Sequence, residues 1–198
     1  EDIDLSAYSQ TGSAGADITG STGVNVIVGT GYADTIRGGE GADTITGGDG
    51  ADMIYGGDGN DTFVIAAGTN SFSSTTAIDT TASGGVTTLT GIDEYRGLNA
   101  GDKVDLSAVD GSSAISNATV ADGTTELSAA TSGGVAFLLG TFDEVAKTFT
   151  SATTFSSSAN DYLLEWADGT NYEAIVFVDV SAEMDSFVFA SAAGTLTT

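Results

Sequence analysis

GTGYADTIR, GGEGADTIT, GGDGADMIY and GGDGNDTFV, which together make up residues 29–64, are four consecutive copies of one nine-residue pattern. Each copy begins with glycine and carries aspartate at its sixth position and one large apolar residue at its eighth. The sixth and eighth positions are occupied by Asp34 and Ile36, Asp43 and Ile45, Asp52 and Ile54, and Asp61 and Phe63. Such a fixed period predicts that the chain repeats one structural unit, and it has to be interpreted before any other feature.

Two weaker copies extend the pattern towards the N-terminus. GSTGVNVIV, residues 20–28, has Asn25 at the sixth position, and TGSAGADIT, residues 11–19, has Ala16 there. Both keep isoleucine at the eighth position. Asp17 falls one position out of register, so we expect no strong ligand site in the first copy.

The last three positions of each copy predict a very short strand. Only the middle side chain of the three is apolar, as in an extended chain whose successive side chains point to opposite faces. Stacked copies would place the eighth-position residues in interior columns. The other six positions must turn the chain, and glycine suits them because it adopts positive φ without a Cβ penalty. The sequence therefore predicts a parallel β-solenoid.

The aspartates predict a divalent cation. Carboxylates that recur every nine residues would stack at the edge of the solenoid and repel one another. Calcium takes about six to eight oxygen ligands, including backbone carbonyls, whereas magnesium prefers a tighter and partly hydrated site. The chain has no His and no Cys for softer metals. A metal-free array of loops is the alternative, but loops have no reason to keep an apolar residue at every ninth position.

The four copies match the nonapeptide GGxGxDxUx and resemble the repeats of the RTX (repeats-in-toxin) family, which form a calcium-binding β-roll. The resemblance implies that two copies make one coil and that each of several Ca²⁺ ions lies between neighbouring turns on one side of the roll. It implies that Asp34 shares an ion with Asp52 and that Asp43 shares one with Asp61. Asn25 with Asp43 is a weaker pair.

The same resemblance implies that glycine carbonyls act as ligands. The candidates are Gly29, Gly31, Gly38, Gly39, Gly41, Gly47, Gly48, Gly50, Gly56, Gly57 and Gly59. Asp49 and Asp58 occupy the third position and would add side-chain oxygens. Glu40 holds that position in its own copy, but its longer side chain leaves its role open.

A second motif follows the repeats. GIDEYRGLNAGDKVDLSAV, residues 91–109, resembles the segment I-x-D-F-x-x-G-x-D-K-I-D-L-S that closes the end of the roll in RTX proteins. Such a cap would cover an open strand edge. Asp93 and Asp102 would complete a terminal calcium shell or would be solvated turn residues, and both interpretations stay open. KVDLSA in this segment nearly repeats DIDLSA within residues 1–10.

The remaining chain predicts antiparallel β-structure. DYLLEWA and NYEAIVFVDV flank Asp168-Gly169, a strong hairpin signal, and the second strand carries bulk on both faces, which predicts a central position. AFLLGTF, residues 136–142, predicts a buried strand, and residues 142–147 predict a helical turn. We also expect a turn at Gly84-Gly85. DSFVFASAAGTLTT, residues 185–198, resembles a type I secretion signal.

The predicted fold is therefore all-β, a parallel β-roll followed by a capping segment and a mostly antiparallel C-terminal region. The expected units are a lead-in strand (1–10), the β-roll (11–64), the cap and connection (65–109) and the C-terminal region with the secretion signal (110–198). The chain does not begin with Met and shows no signal peptide, so we expect it to be a fragment or a processed piece of a longer protein.

The charge of the chain excludes several functions. Its 198 residues include 28 acidic and 4 basic residues, which gives a formal net charge of −24. Binding to nucleic acid requires clustered Lys and Arg, and anionic membranes are disfavoured for the same reason. No apolar run is long enough to insert into a membrane. Without His or Cys, and with calcium sites filled by protein ligands, we expect no enzymatic activity.

These observations predict a calcium-dependent structural module. We expect it to stay unfolded during type I export, with the secretion machinery as a partner, and to fold on calcium outside the cell. Its Ala/Thr/Ser/Gly-rich composition resembles the C-terminal region of RTX-type surface-layer proteins, which implies self-assembly or contact with other surface-protein subunits. The alternatives are the secretion module of an RTX adhesin and that of an exported RTX enzyme or toxin.

Overall fold

The computed structural model describes residues 2–4, 14–66, 73–74, 86–99, 101–106, 119–121, 135–151, 160–168, 171–180, 188–191 and 194–197. Across these ranges the regular structure is entirely β. The strands are β1 Asp2–Asp4, β2 Asp17–Thr19, β3 Val26–Val28, β4 Thr35–Glu40, β5 Thr44–Thr46, β6 Met53–Asp58, β7 Thr62–Val64, β8 Ser73–Ser74, β9 Val86–Thr88, β10 Asp93–Arg96, β11 Lys103–Asp105, β12 Thr119–Ala121, β13 Val135–Asp143, β14 Thr148–Ser151, β15 Asp161–Asp168, β16 Asn171–Val178, β17 Val188–Ser191 and β18 Gly194–Thr197. No helix long and apolar enough to cross a membrane occurs in these ranges.

Successive repeats alternate between two parallel sheets. β2, β4 and β6 pair in parallel in one sheet, and β3, β5 and β7 pair in parallel in the other. The register places each eighth-position residue beside its equivalent one coil away, so that Ile36 pairs with Ile54 and Ile45 pairs with Phe63. One repeat therefore supplies half a coil. This confirms the predicted parallel β-roll.

The eighth-position side chains fill the interior of the roll. Ile27, Ile36, Ile45, Ile54 and Phe63 are fully buried, whereas the residues on either side of each are half-buried or exposed. The alternation follows from the short extended segment, because only the middle of three side chains can face inwards. Each coil thus contributes two interior apolar side chains, which is a small core for its length.

Residues 93–105 form a further coil of the roll. β10 pairs in parallel with β6, with Tyr95 beside Ile54, and β11 pairs in parallel with β7, with Val104 beside Phe63. The segment that resembled a cap therefore continues both sheets in the register of the repeats. At the other end of the roll, β1 adds Ile3 beside Ile27.

The C-terminal region extends both sheets of the roll. β16 pairs in parallel with β10, and β17 pairs in parallel with β11. Beyond β16, strands β15, β13, β14 and β9 follow in antiparallel order, while β12 joins β13 in parallel and β8 joins β16 antiparallel. The predicted hairpin is present as β15 and β16, and β16 lies between β15 and β10, the central position expected from its two bulky faces.

The two faces of β16 pack into two different cores. Ile175 and Phe177 join the core of the roll, where the Tyr95 ring lies 5.5 Å from Phe63 and 5.7 Å from Phe177 between ring centroids. The alternate residues of β16 join a second apolar cluster outside the roll. This cluster consists of Leu89, Ile92, Phe142, Phe149, Leu163, Ala174, Val176 and Val178.

The helical turn predicted at residues 142–147 is wrong. β13 runs through Asp143, and a tight turn at residues 144–147 leads into β14. The Asp143 carboxylate accepts hydrogen bonds from the backbone N–H groups of Val145 and Ala146, and Lys147 adopts φ 52°. The acidic residues that suggested a helix start thus stabilise a hairpin turn instead. The predicted turn at Gly84-Gly85 lies outside the described residues.

Candidate metal centre

The sixth-position residues form two ladders, one along each edge of the roll. In each ladder the backbone N–H of one residue donates to the carboxylate Oδ1 of its equivalent in the next coil. The first ladder runs Asn25 to Asp43 (2.8 Å), Asp43 to Asp61 (2.9 Å) and Asp61 to Asp102 (2.9 Å). The second runs Ala16 to Asp34 (2.6 Å), Asp34 to Asp52 (2.8 Å) and Asp52 to Asp93 (2.9 Å). One oxygen of each aspartate therefore joins neighbouring coils.

The other carboxylate oxygen is unpaired in three of these residues. The Oδ2 atoms of Asp43, Asp52 and Asp61 are buried and have no hydrogen-bond partner within the described part of the chain. An unsatisfied buried carboxylate oxygen is strongly unfavourable. These three positions therefore require a proton or a cation.

Glycine allows the backbone to approach each of these oxygens. A Cβ atom on Gly47 would lie 2.3 Å from Asp52 Oδ2, and one on Gly56 would lie 2.3 Å from Asp61 Oδ2. Gly48 adopts φ +104°, and a Cβ there would lie 2.0 Å from the carbonyl oxygen of Thr30. At these glycines the turns are close-packed stacks of backbone that leave no room for a Cβ atom, with carbonyl groups and a carboxylate in one small space.

Burial raises the pKa of the ladder aspartates. It raises the pKa of Asp52 from 3.8 to about 7, with repulsion from Asp34 as a smaller contribution in the same direction. It raises the pKa of Asp61 to about 6, where Asp102 and Asp43 add repulsion. The pKa of Asp93 and that of Asp102 are raised as well, again mainly by burial. The charged state of these ladders needs a positive partner.

The donor atoms fit calcium. Each turn offers carboxylate and backbone carbonyl oxygens, which hard cations prefer. Among the described residues, no three acidic side chains come together to form a metal site. A cation in these turns would therefore take its ligands from one or two aspartates and from backbone carbonyls, and the glycine-rich stacks supply such carbonyls at close range.

The other predicted ligand side chains lie further out. Glu40, Asp49 and Asp58 are exposed at the third position of their turns. Gly31 has no atom near the place of an added Cβ, unlike Gly29, whose added Cβ would lie 1.9 Å from the carbonyl oxygen of Gly47. These residues occupy the turns, and the carboxylates of Asp49 and Asp58 lie near enough to Asp52 and Asp61 to repel them.

Three further residues contact the ladders and were missed in the sequence. The Thr30 N–H donates to Asp34 Oδ2 at 2.6 Å, and the Ser21 N–H donates to Asn25 Oδ1 at 2.6 Å. The Asn99 N–H donates to Asp102 Oδ2 at 2.7 Å. Ser21 and Thr30 could have been found from the sequence, because they replace the second glycine of their copies.

A separate cluster of ion pairs lies where the last coil meets the C-terminal region. The guanidinium of Arg96 contacts the carboxylates of Glu94 and, at 2.9 Å, Glu144, and Lys147 pairs with Glu94. Hydrogen bonding to Arg96 lowers the pKa of Glu144 and raises that of Arg96. Two of the four basic residues of the chain are thus used around one buried glutamate.

The fold and the glycine-aspartate turns define a calcium-binding type of β-roll. Residues 19–54, 28–63 and 39–71 match the family described as the RTX calcium-binding nonapeptide repeat, with four copies. The chain therefore carries RTX repeats, and Ca²⁺ is the ion that such repeats bind. Comparison of the sequence with curated proteins finds no significant match.

One similar solved structure is the solution structure of the AlgE6R3 subunit from the Azotobacter vinelandii mannuronan C5-epimerase. It shares 22% sequence identity with this chain. The alignment covers 91% of this chain and 81% of the AlgE6R3 structure, with a TM-score of 0.49. These values carry no information on activity.

Proposed function

We propose that this chain is a calcium-dependent structural module that folds when calcium binds. The observation that carries the proposal is the set of three buried and unpaired oxygens, Oδ2 of Asp43, Asp52 and Asp61, each next to the first glycine of its own turn. These aspartates and nearby backbone carbonyls would hold the ions. Calcium bound there would supply the positive charge that the rest of the ladder lacks.

Binding and folding are coupled because the core of the roll is small. Without cations the stacked carboxylates repel one another, and two apolar side chains per coil do not offset the loss of chain entropy. Extracellular calcium modules bind with dissociation constants of about 10⁻⁴–10⁻³ M. At a free calcium concentration about a hundred times the dissociation constant, each site would add about 2.7 kcal/mol to the stability of the folded state.

This coupling suits a protein that is exported unfolded and folds outside the cell. We propose type I export and a location at the bacterial cell surface, where the module would be part of a surface-layer lattice. The support is the resemblance to RTX proteins, the strong negative charge and the Ala/Thr/Ser/Gly-rich composition. We also propose that the module is not catalytic, since the buried carboxylates join coils. Ordered two-dimensional sheets that form only with calcium would support the lattice role.

Calcium titration of the metal-free chain tests the main proposal. Circular dichroism should show a gain of β-structure with calcium and little change with magnesium, and native mass spectrometry should show several bound Ca²⁺ ions per chain. Asp52→Asn should weaken calcium binding, while Asp17→Asn, which changes an exposed aspartate paired with Arg37, should leave it unchanged. A fully folded roll in excess chelator at a pH above the raised pKa values of Asp52 and Asp61 would contradict the proposal.

A further inference from the structure

Six turns of the roll are of two kinds, which differ in what contacts the sixth-position residue. In the turns of Asp43, Asp52 and Asp61, the second carboxylate oxygen is buried and unpaired. In the turns of Asn25, Asp34 and Asp102, the corresponding oxygen accepts a backbone N–H at 2.6–2.7 Å from Ser21, Thr30 and Asn99 respectively. The unpaired oxygens are therefore confined to the middle of the roll.

The residue at the second position explains this difference in the five turns from that of Asn25 to that of Asp61. Gly39, Gly48 and Gly57 occupy it in the open turns and adopt φ between +104° and +114°. Ser21 and Thr30 do not adopt positive φ, which is costly for residues with a Cβ atom. Their N–H groups instead face the side chain at the sixth position, whereas the glycine N–H groups do not donate to it.

Side-chain hydroxyl groups strengthen the closed turns. Thr30 Oγ1 lies 2.8 Å from Asp34 Oδ1 and 3.0 Å from Asp34 Oδ2. Ser21 Oγ accepts a hydrogen bond from Asn25 Nδ2 at 2.9 Å. Both oxygens of Asp34 are thus satisfied by the chain itself, since Oδ1 also accepts the N–H of Ala16. A carboxylate with all these partners has its charge stabilised without a cation.

We propose that the second-position residue determines which turns bind calcium through the sixth residue. On this proposal, which rests on the proposed function, Asp43, Asp52 and Asp61 are calcium ligands, and Asn25 and Asp34 are not. Asp102 is not a ligand for a different reason, because the N–H of Asn99, at the third position of its turn, already occupies its second oxygen. The calcium-dependent segment, residues 38–61, then follows the closed turns of Asn25 and Asp34, and the closed turn of Asp102 stacks on its last turn, that of Asp61. Its ends are held before the ions bind, and each ion completes a turn between them.

Two matched substitutions test the proposal in the full chain. Native mass spectrometry at saturating calcium should count fewer ions on Asp52→Asn than on the unmodified chain and the same number on Asp34→Asn. Asparagine fits the closed turn, since Asn25 already occupies one. If Asp34→Asn loses as many ions as Asp52→Asn, the proposal is wrong. If the unmodified chain binds no calcium, the proposed function itself fails, so the two failures are distinguishable.

A gain of binding provides the converse test. Replacing Thr30 and Tyr32 by glycine gives this turn the glycine pattern of the open turns and frees Asp34 Oδ2, so that the double variant should bind one more Ca²⁺ ion. Thr22→Gly is the matched control, because Thr22 is exposed at the third position of its turn and should not alter the count. An unchanged count in a folded double variant would overturn the proposal. If that variant does not fold, the Asp34→Asn and Asp52→Asn pair still decides it.

Discussion

The middle of the roll and the β15–β16 hairpin bury very different amounts of apolar surface. β5 and β7 each bury one side chain in three. In the hairpin, every side chain described at residues 161–166 and 173–178 is buried, because β16 has a core on each face. Burial of apolar area is the main source of folding free energy. The hairpin can therefore rely on its own side chains, whereas the roll needs a further contribution.

The two regions also differ in how they neutralise buried acids. Glu94, at the junction with the C-terminal region, is paired with Arg96 and Lys147. In the roll, burial raises the pKa of Asp52 and of Asp61, and neighbouring carboxylates raise both further by repulsion. One oxygen of each is also unpaired. The chain thus supplies its own cations at one place and leaves them to the solvent at the other.

The largest effect we expect is from removal of calcium. Strands β5 and β6, which lie within residues 38–61, should lose protection against hydrogen exchange by orders of magnitude, since their stability depends on the ions, while β15 and β16 should lose less. Hydrogen exchange followed by mass spectrometry, with and without chelator, measures both regions in one sample. Equal loss in the two regions would show instead that roll and hairpin unfold as one unit.

A smaller but still large effect is expected from Arg96→Met. The substitution removes one of the two basic partners of Glu94, whose side chain is only 4% exposed, and breaking a buried ion pair typically costs about 3–5 kcal/mol. Denaturant unfolding at saturating calcium, followed by Trp166 fluorescence, measures the loss. The double variant Arg96→Met/Glu94→Gln should recover part of the stability. A loss below about 1 kcal/mol in Arg96→Met would mean that the pair is not effectively buried.

The stability of the calcium-free roll should fall as pH rises, whereas that of the calcium-bound roll should increase. Because burial raises the folded-state pKa of Asp52 to about 7 and of Asp61 to about 6, the metal-free fold binds more protons than the unfolded chain. Its stability should be greatest below about pH 4 and should fall as pH rises through 6 to 7. Calcium affinity should rise over the same range, since protons compete with the ion.

Circular dichroism in calcium-free buffer at about pH 5 and about pH 8, and calcium titrations at both values, test this dependence. Asp52→Asn is the control, because it removes one of the shifted groups and should flatten the profile. A metal-free roll that gains β-structure as pH rises would contradict the assigned pKa shifts.

The smallest effect is expected from Arg37→Met, the matched counterpart of Arg96→Met. Arg37 and Arg96 both pair in register with Tyr55, from opposite sides of β6. Arg37 lies over the Tyr55 ring at 5.4 Å and pairs with the exposed Asp17. Exposed ion pairs contribute about 0–1 kcal/mol, so the free energy of unfolding should fall by no more than that amount. A loss as large as that of Arg96→Met would show that burial does not separate the two sites.

The positions of the ladder aspartates could be predicted from the repeat, but the states of their oxygens could not. Asp34 and Asp52 are equivalent in the nine-residue pattern, yet only Asp52 has an unpaired oxygen. The difference arises from backbone geometry at Thr30 and Gly48, which the pattern at the sixth position does not contain. The substitution at the second position was visible in the sequence, and its meaning became clear only from the hydrogen bonds.

In the C-terminal region, too, some features could be predicted from the sequence and others could not. The Asp-Gly turn and the alternating bulk of residues 161–178 predicted a central hairpin, which is present. The failed prediction at residues 142–147 shows the limit of local signals, because acidic residues serve a helix start and a hairpin turn equally well. What decides the outcome there is the pairing of β13 with β14, which brings Phe142 and Phe149 into the second core.

The sequence by itself determined the coil, its interior columns and the aspartate at each turn, because a period of nine brings equivalent residues of every second repeat side by side, one coil apart. Tertiary structure alone decided that residues 93–105 are a further coil, since their equivalents lie 41 rather than 18 residues earlier. Asp93 and Asp102 keep the nine-residue spacing, but only pairing with β6 and β7 shows which strands they extend. It also decided that Arg96 is buried and Arg37 exposed, because burial depends on which distant segment covers each position.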